Sequence, residues 1–204
     1  MNILSICPES FAANTYALIS GEHAIIVDPS VSVEAITNAV SGEGARIEAI
    51  ILTHGHFDHI MSIDTLKRAT TSQVMIHRDD AEMLTDSRKN AFFTFFGKDK
   101  IFAPADAFFS DGDEIALGDE VIKVIHTPGH SKGSCCFLCP NFMVTGDTLF
   151  ADNIGRSDLW GGNENELRSS LSLLSNYDRN LKIYPGHGPS ALLGNALDNT
   201  VYFI

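Results

Sequence analysis

Along the chain, short apolar runs alternate with segments whose apolar residues recur every three or four positions. Thr15 to Ile19 and Ala24 to Val27 are apolar and rich in β-formers, with a turn signal at Ser20 and Gly21 between them. Asp28-Pro29-Ser30 closes the second run. Val31 to Val40 then reads as a short helix with Val33, Ile36 and Val40 as its apolar positions, and Ser41 to Gly44 breaks it. Ala49 to Leu52 fits a buried strand. Ile60 to Ala69 is helical in pattern, with Ile60, Ile63 and Leu66 on one face. Val74 to Ile76 reads as a strand and Asp79 to Leu84 as a short helix.

From Thr85 to Asp111 the periodicity fails. Phe92, Phe93, Phe95, Phe96, Phe102, Phe108 and Phe109 follow neither template. Two readings stand side by side: an irregular segment packed on the core, or a flap lining a substrate cleft. After it the earlier pattern resumes. Asp113 to Ile115 and Val121 to Ile125 predict paired strands, Ser134 to Leu138 and Phe142 to Thr145 two more. Glu164 to Leu174 is a helix with Leu167, Leu171 and Leu174 inward, and Lys182 to Tyr184 is a last strand. No linker, low-complexity tract or short repeat interrupts this order. Strands and helices in both halves predict helices covering a two-sheet core.

Length and composition narrow the picture. At 204 residues, 44% hydrophobic and 20% charged, the chain suits one globular domain over 1–204. No apolar run approaches the length of a bilayer span, which predicts no membrane partner. Met1 to Pro8 lacks the basic start and small-residue cleavage site of a signal peptide, so a cytoplasmic location is expected. A net charge of −12 argues against nucleic acid as the bulk partner, because phosphate binding needs a positive surface. It also means that an anionic substrate must be met by specific cations. The four cysteines, Cys7, Cys135, Cys136 and Cys139, are too few for a disulfide scaffold. Cys136 and Cys139 lie three apart in a strand-like run, hence on opposite faces, and are expected to be structural.

The chemistry lies in the turns after the strands. Thr53-His54-Gly55-His56-Phe57-Asp58-His59 follows a buried strand, where such a polar run would be costly without partners. Imidazole and carboxylate at this density suit a metal of borderline softness. His54 and His56 can bend toward one ion, and Asp58 and His59, at the start of the next helix, toward a second. Three later turns repeat the theme: His126-Thr127-Pro128-Gly129-His130, Gly146-Asp147-Thr148, and Pro185-Gly186-His187-Gly188. The isolated His23, His77 and His126 are read as surface or structural residues.

In this order, H-G-H-F-D-H, T-P-G-H, G-D-T-L-F and P-G-H-G resemble the metallo-β-lactamase superfamily from Asn14 to His187. Among its branches the chain is most similar to the short bacterial form of hydroxyacylglutathione hydrolase (glyoxalase II), through Gly146–Phe150 and Ile154–Asp158. The resemblance implies a four-layer αβ/βα sandwich with a metal site at one edge of the two sheets. It implies His54, His56 and His130 on one ion, Asp58, His59 and His187 on a second, and Asp147 between them. Asp58 would also help to orient the nucleophile. Asp28 matches a family position beside the site. The implied cofactors are two divalent ions, zinc by donor type, with iron or manganese accepted by the same donors.

Such a site implies hydrolysis of a thioester such as S-lactoylglutathione by activated water. A thiol of pKa about 8.5 can leave without a strong general acid. Arg156 is the nominated contact for a glutathione carboxylate, with Lys132 as a second candidate. Compared with long glyoxalase II, only 17 residues follow His187, so no helical C-terminal glutathione-binding domain is expected, and Asp158 replaces an aromatic contact. Persulfide dioxygenases, which use a single iron held by two histidines and an aspartate, share the Gly155–Asp158 pattern and are the main alternative. A lactonase, a phosphodiesterase or another ester hydrolase of the fold, and a non-catalytic metal- or partner-binding module, are the others.

Overall fold

The computed structural model describes residues 1–7 and 12–200. Pro8, the end of the opening stretch read above, and residues 201–204 of the single-domain reading lie outside them. The first half runs β1 (Asn2–Ile6), β2 (Thr15–Ser20), β3 (His23–Val27), α1 (Val33–Gly42), β4 (Arg46–Ile51), α2 (Ile63–Thr70), β5 (Gln73–His77), α3 (Phe92–Phe96) and β6 (Ala107–Phe109). The second runs β7 (Glu114–Leu117), β8 (Glu120–His126), β9 (Cys135–Leu138), β10 (Phe142–Gly146), α4 (Glu164–Leu174), β11 (Lys182–Pro185), β12 (Ala191–Leu192) and α5 (Leu193–Asn199).

The strands form two six-stranded sheets, ordered β1-β2-β3-β4-β5-β6 and β12-β11-β10-β9-β8-β7. In the first, β1, β2 and β3 are antiparallel neighbours, while β3 to β6 run parallel. In the second only β10 and β11 are parallel. Strand alternation sends successive side chains to opposite faces, which divides the interior into three cores. Leu18, Ile25, Val27 and Ile51 meet Ile122, Val124, Phe137 and Val144 between the sheets. Ala17, Ile26, Ile50 and Leu52 point the other way, under Ile36 and Val40 of α1 and Ile63 and Leu66 of α2. Ile125, Cys136, Met143 and Ile183 lie under α4 and α5. Two sheets, each covered by helices on its outer face, make the expected four layers.

Local chemistry sets the ends of the helices. The Ser32 hydroxyl accepts from the Ala35 amide at the start of α1, and Asn163 accepts from the amides of Asn165 and Glu166 at the start of α4.

Several boundaries differ from the sequence reading. The helix expected from Ile60 begins at Ile63. Asp58 and His59 sit instead in a separate 3₁₀ turn, Phe57–His59, because Ile60 leaves the helical region at φ −122° and ψ 12°. The short helix expected over Asp79 to Leu84 is a 3₁₀ stretch, Arg78–Met83. The Phe-rich segment is not wholly irregular: it holds α3 and β6, the latter an edge strand paired with β5. β1, β12 and α5 were not anticipated, because each is short or broken by polar residues.

Cys136 and Cys139 do occupy opposite faces, in two different cores, and both are free thiols. Burial pushes them up to about 11 and about 12, far from the reactive thiolate range. Among the described residues no helix is long and apolar enough to cross a membrane.

Candidate metal centre

The site lies where the loops after β4, β8, β10 and β11 meet at one edge of the two sheets. His54, His56 and His130 are buried and converge: His130 Nε2 stands 2.8 Å from His56 Nδ1 and 3.2 Å from His54 Nε2. Asp58, His59 and His187 form a second group, with His187 Nε2 3.2 Å from Asp58 Oδ2. Asp147 stands between the groups. Its Oδ2 is 3.6 Å from both His130 Nε2 and His187 Nε2, and its Oδ1 is 3.3 Å from His59 Nε2.

Each first-half imidazole but one is oriented by a partner on its far side. His59 Nδ1 is 2.8 Å from Asp28 Oδ2. His54 Nδ1 is 3.0 Å from the Thr53 hydroxyl, which itself donates to Asp28 Oδ2 at 2.6 Å, while the Thr53 amide donates to Asp28 Oδ1. In the second half, His130 Nδ1 donates to the Arg156 carbonyl at 2.7 Å. A proton placed on these outer nitrogens leaves the Nε2 lone pairs of His54, His59 and His130 facing the centre, the tautomer that a metal requires.

Electrostatics point the same way. Burial, with His130 beside it, lowers the His56 imidazole to about 3, and burial likewise depresses His54 and His130. These three are neutral bases turned toward one another. For His59 burial acts downward, but Asp147 and Asp28 outweigh it and raise the group well above its ordinary value. A proton there answers the carboxylates' demand for a cation. Burial would raise Asp147, yet the surrounding imidazoles hold it low. His59 Nε2 and Asp147 Oδ1, both facing the centre, are buried without a hydrogen-bond partner, and a buried orphan is expensive unless something binds it. A tetrahedral ion with bonds of about 2.0–2.1 Å to nitrogen sets its ligands roughly 3.3 Å apart, close to the separations in the three-histidine group. The donors therefore fit two divalent cations.

Backbone proximity demands glycine at two places. A Cβ on Gly186 would stand 2.1 Å from Asp147 Oδ1 and 2.6 Å from His59 Cε1, and one on Gly155 would stand 1.8 Å from the Asp147 carbonyl oxygen. No side chain other than hydrogen fits either position without moving Asp147.

The two nominated substrate contacts part company. Arg156 lines the cleft, but its guanidinium grips Asp158 through bonds of 2.6 and 2.7 Å. Lys132 is not among the residues lining the cleft. Its Nζ lies 5.0 Å from the Trp160 ring, and Lys89 Nζ lies 4.9 Å from the same ring; cation–π packing accounts for its position. Of the isolated histidines, His23 bonds Glu48 at the surface. His77 and His126 come together with Asp79, which the sequence did not suggest, but their rings stack at 4.2 Å and 8°. Lone pairs lie in the ring plane, so one ion cannot serve two parallel stacked imidazoles. His126 Nε2 donates to the Lys132 carbonyl, and His77 Nδ1 accepts from the Asp79 amide.

Three supporting residues escaped the sequence reading. Asp80, fully buried, accepts from the amides of Gly55 and Gly133 and the hydroxyl of Ser131, tying the His54–His59 loop to the His130 loop. Burial lifts its carboxyl to about 6, against the pull of those hydrogen bonds. The Asn14 amide donates to the carbonyls of Pro185 and Gly188, and the Tyr16 hydroxyl to that of Pro185, which fixes the loop bearing His187. Their partners lie 25 to 174 residues away, beyond any local motif.

Comparison with known proteins agrees with this geometry. Residues 9–189 match the model of the metallo-β-lactamase superfamily. A probable metallo-hydrolase of Bacillus subtilis, YqgX, is 34% identical over 181 residues, covering 87% of this chain and 85% of its own. The crystal structure of the B3 metallo-β-lactamase BLEG-1 superimposes with a TM-score of 0.91 at 30% identity, covering 99% of both chains. That of TTHA1623 in a di-iron-bound form gives 0.84 at 28% identity, covering 99% of this chain and 100% of that one.

Proposed function

The chain belongs to the metallo-β-lactamase superfamily, and from that premise we propose that it is a hydrolase of carboxylic thioesters or esters working through a two-metal centre. The observation that carries this reading is the position of Asp147, within 3.6 Å of donors from both histidine groups. When bound, divalent ions supply Lewis acidity at a carbonyl oxygen and acidify water for attack on the carbonyl carbon.

The protein's own part is positional. His54, His56 and His130 are neutral donors on one side of the site; Asp58, His59 and His187 stand on the other. Asp58, half-buried, is held ionised against burial by His187 and His59, so it can accept a hydrogen bond from the attacking water and aim its lone pair. Asp28 keeps His59 from turning. The cleft that opens over these residues, about 820 Å³ and including His56, Asp58, His130, Asp147 and His187 in its lining, suits a small-molecule substrate.

Zinc suits the donors, and iron is equally admissible in view of the di-iron form of TTHA1623. S-Lactoylglutathione is the first thioester to test, and a β-lactam, with its cyclic amide carbonyl, is a second substrate in view of BLEG-1. Metal-loaded protein is expected to hydrolyse a thioester, with loss of roughly 10³-fold or more in His56→Ala. Absence of turnover on thioesters, esters, lactones and β-lactams, with oxygen uptake on glutathione persulfide, would replace this reading by the single-iron dioxygenase.

A further inference from the structure

One wall of the cleft, beside the metal donors, is made of phenylalanine. α3 has the sequence Phe-Phe-Thr-Phe-Phe, and none of its residues is buried. A short helix of four phenylalanines with no fully buried side chain contributes little to a core. It begins after Ala91 at φ 67° and ends at Gly97 at φ 62°, so the chain enters and leaves it through left-handed residues. Its rings converge on Phe57, which stands between His56 and Asp58 in the ligand loop. The centroids of Phe92, Phe95 and Phe96 are 5.4, 5.7 and 5.5 Å from that of Phe57. The aromatic wall therefore starts at the metal donors and runs outward to Phe95 and Phe96, which are 53% and 55% exposed. Single exposed apolar residues are ordinary, but a contiguous aromatic surface inside a cleft marks a binding site.

Charge argues in the same direction. Histidines aside, Arg156 is the one cationic side chain among the described residues lining the cleft, and Asp158 already accepts from its Nε and Nη2. A substrate carboxylate would meet Arg156 with the Asp158 carboxylate already beside it, on a protein of net charge −12. We propose that the cleft selects substrates carrying a bulky, uncharged apolar group beside the scissile carbonyl, an aromatic ring or a medium-length alkyl chain seated against Phe57, Phe92, Phe95 and Phe96. The hydrolase reading above supplies only the identity of the scissile bond; the selection of an apolar group belongs to the wall itself.

The test is a series of acyl thioesters of one small uncharged thiol, acetyl to octanoyl with benzoyl, alongside S-lactoylglutathione, on metal-loaded protein. The value of kcat/KM should climb about fourfold per methylene until the wall is filled. S-Lactoylglutathione should fall near the acetyl member, and Phe95→Ala/Phe96→Ala should flatten the climb. Equal kcat/KM across the series, or S-lactoylglutathione tenfold above octanoyl, would overturn the inference and leave the hydrolase standing. If nothing turns over, calorimetric titration with octanoate and acetate decides. Octanoate binding at least tenfold tighter, and lost in the double variant, upholds the apolar site while removing the hydrolase. Equal binding of the two overturns the apolar site as well.

Discussion

The two halves of the molecule supply the metal centre in opposite ways. The first half gives His54, His56, Asp58 and His59 from one loop of six residues after β4. The second gives His130, Asp147 and His187, one from each of three loops after β8, β10 and β11. Each donor in the compact loop is near its neighbours by covalent connection. The dispersed donors are near one another only when β8, β10 and β11 are in register and Asn14, Tyr16 and Asp80 hold the loops in place. The compact half carries density and the dispersed half carries geometry, and Asp147 is where the two meet.

Removing donors probes that contrast most forcefully. His56→Ala should abolish activity and lower the metal content of purified protein from two ions toward one, read by elemental analysis. Retention of both ions would show that the two groups do not act as separate sites. Gly186→Ala comes next. Its methyl group would press on Asp147 Oδ1 and His59 Cε1, and a displacement of about 1 Å at a catalytic centre costs on the order of 10²-fold in rate. The effect should fall on kcat, with a near-native melting temperature in the metal-free protein.

Asp28→Asn keeps the shape and suits the left-handed backbone at φ 51°. It offers an amide where His59 Nδ1 and the Thr53 hydroxyl need an acceptor. Metal affinity should fall ten- to hundredfold in chelator competition. An unchanged affinity would mean that the compact loop orients its own histidines.

The smallest effect is expected at Asp80, the link between the halves. Its folded-state carboxyl, at about 6, lies above the ordinary value of about 3.9. Between these limits the folded protein binds more protons than the unfolded chain, so this group's contribution to stability falls as pH rises from about 4 to 6. Asp80→Asn should remove that share of the slope in the melting temperature of metal-free protein. An unaltered slope would place the titration elsewhere.

The same contrast explains what could be read from the sequence. Helices over a two-sheet core and the cluster from His54 to His59 were legible because both are written in local periodicity and density; the four-layer order was implied by the family resemblance. His130, Asp147 and His187 stood out only as parts of an ordered set of motifs. Arg156 was chosen for its charge, yet it is the carbonyl of that residue that touches His130. Backbone roles leave no mark in residue type. Lys132 was chosen for charge as well, and its Nζ packs on the Trp160 ring. Asp80 and Asn14 were given no role, because their partners are distant in sequence. The Phe-rich segment defeated periodicity because part of it, α3, faces a cleft rather than a core.

The approach of His59 to Asp147 has a consequence for the unfolded chain. A cation held by both residues joins positions about ninety apart, and for the denatured ensemble it acts as a reversible cross-link. In the loop-closure picture a tie of that span removes roughly 4–5 kcal/mol of chain entropy, as much as a long-range disulfide. With all four thiols free, the active centre is also the molecule's covalent-like staple. Resistance to unfolding should then follow the free metal concentration of its surroundings.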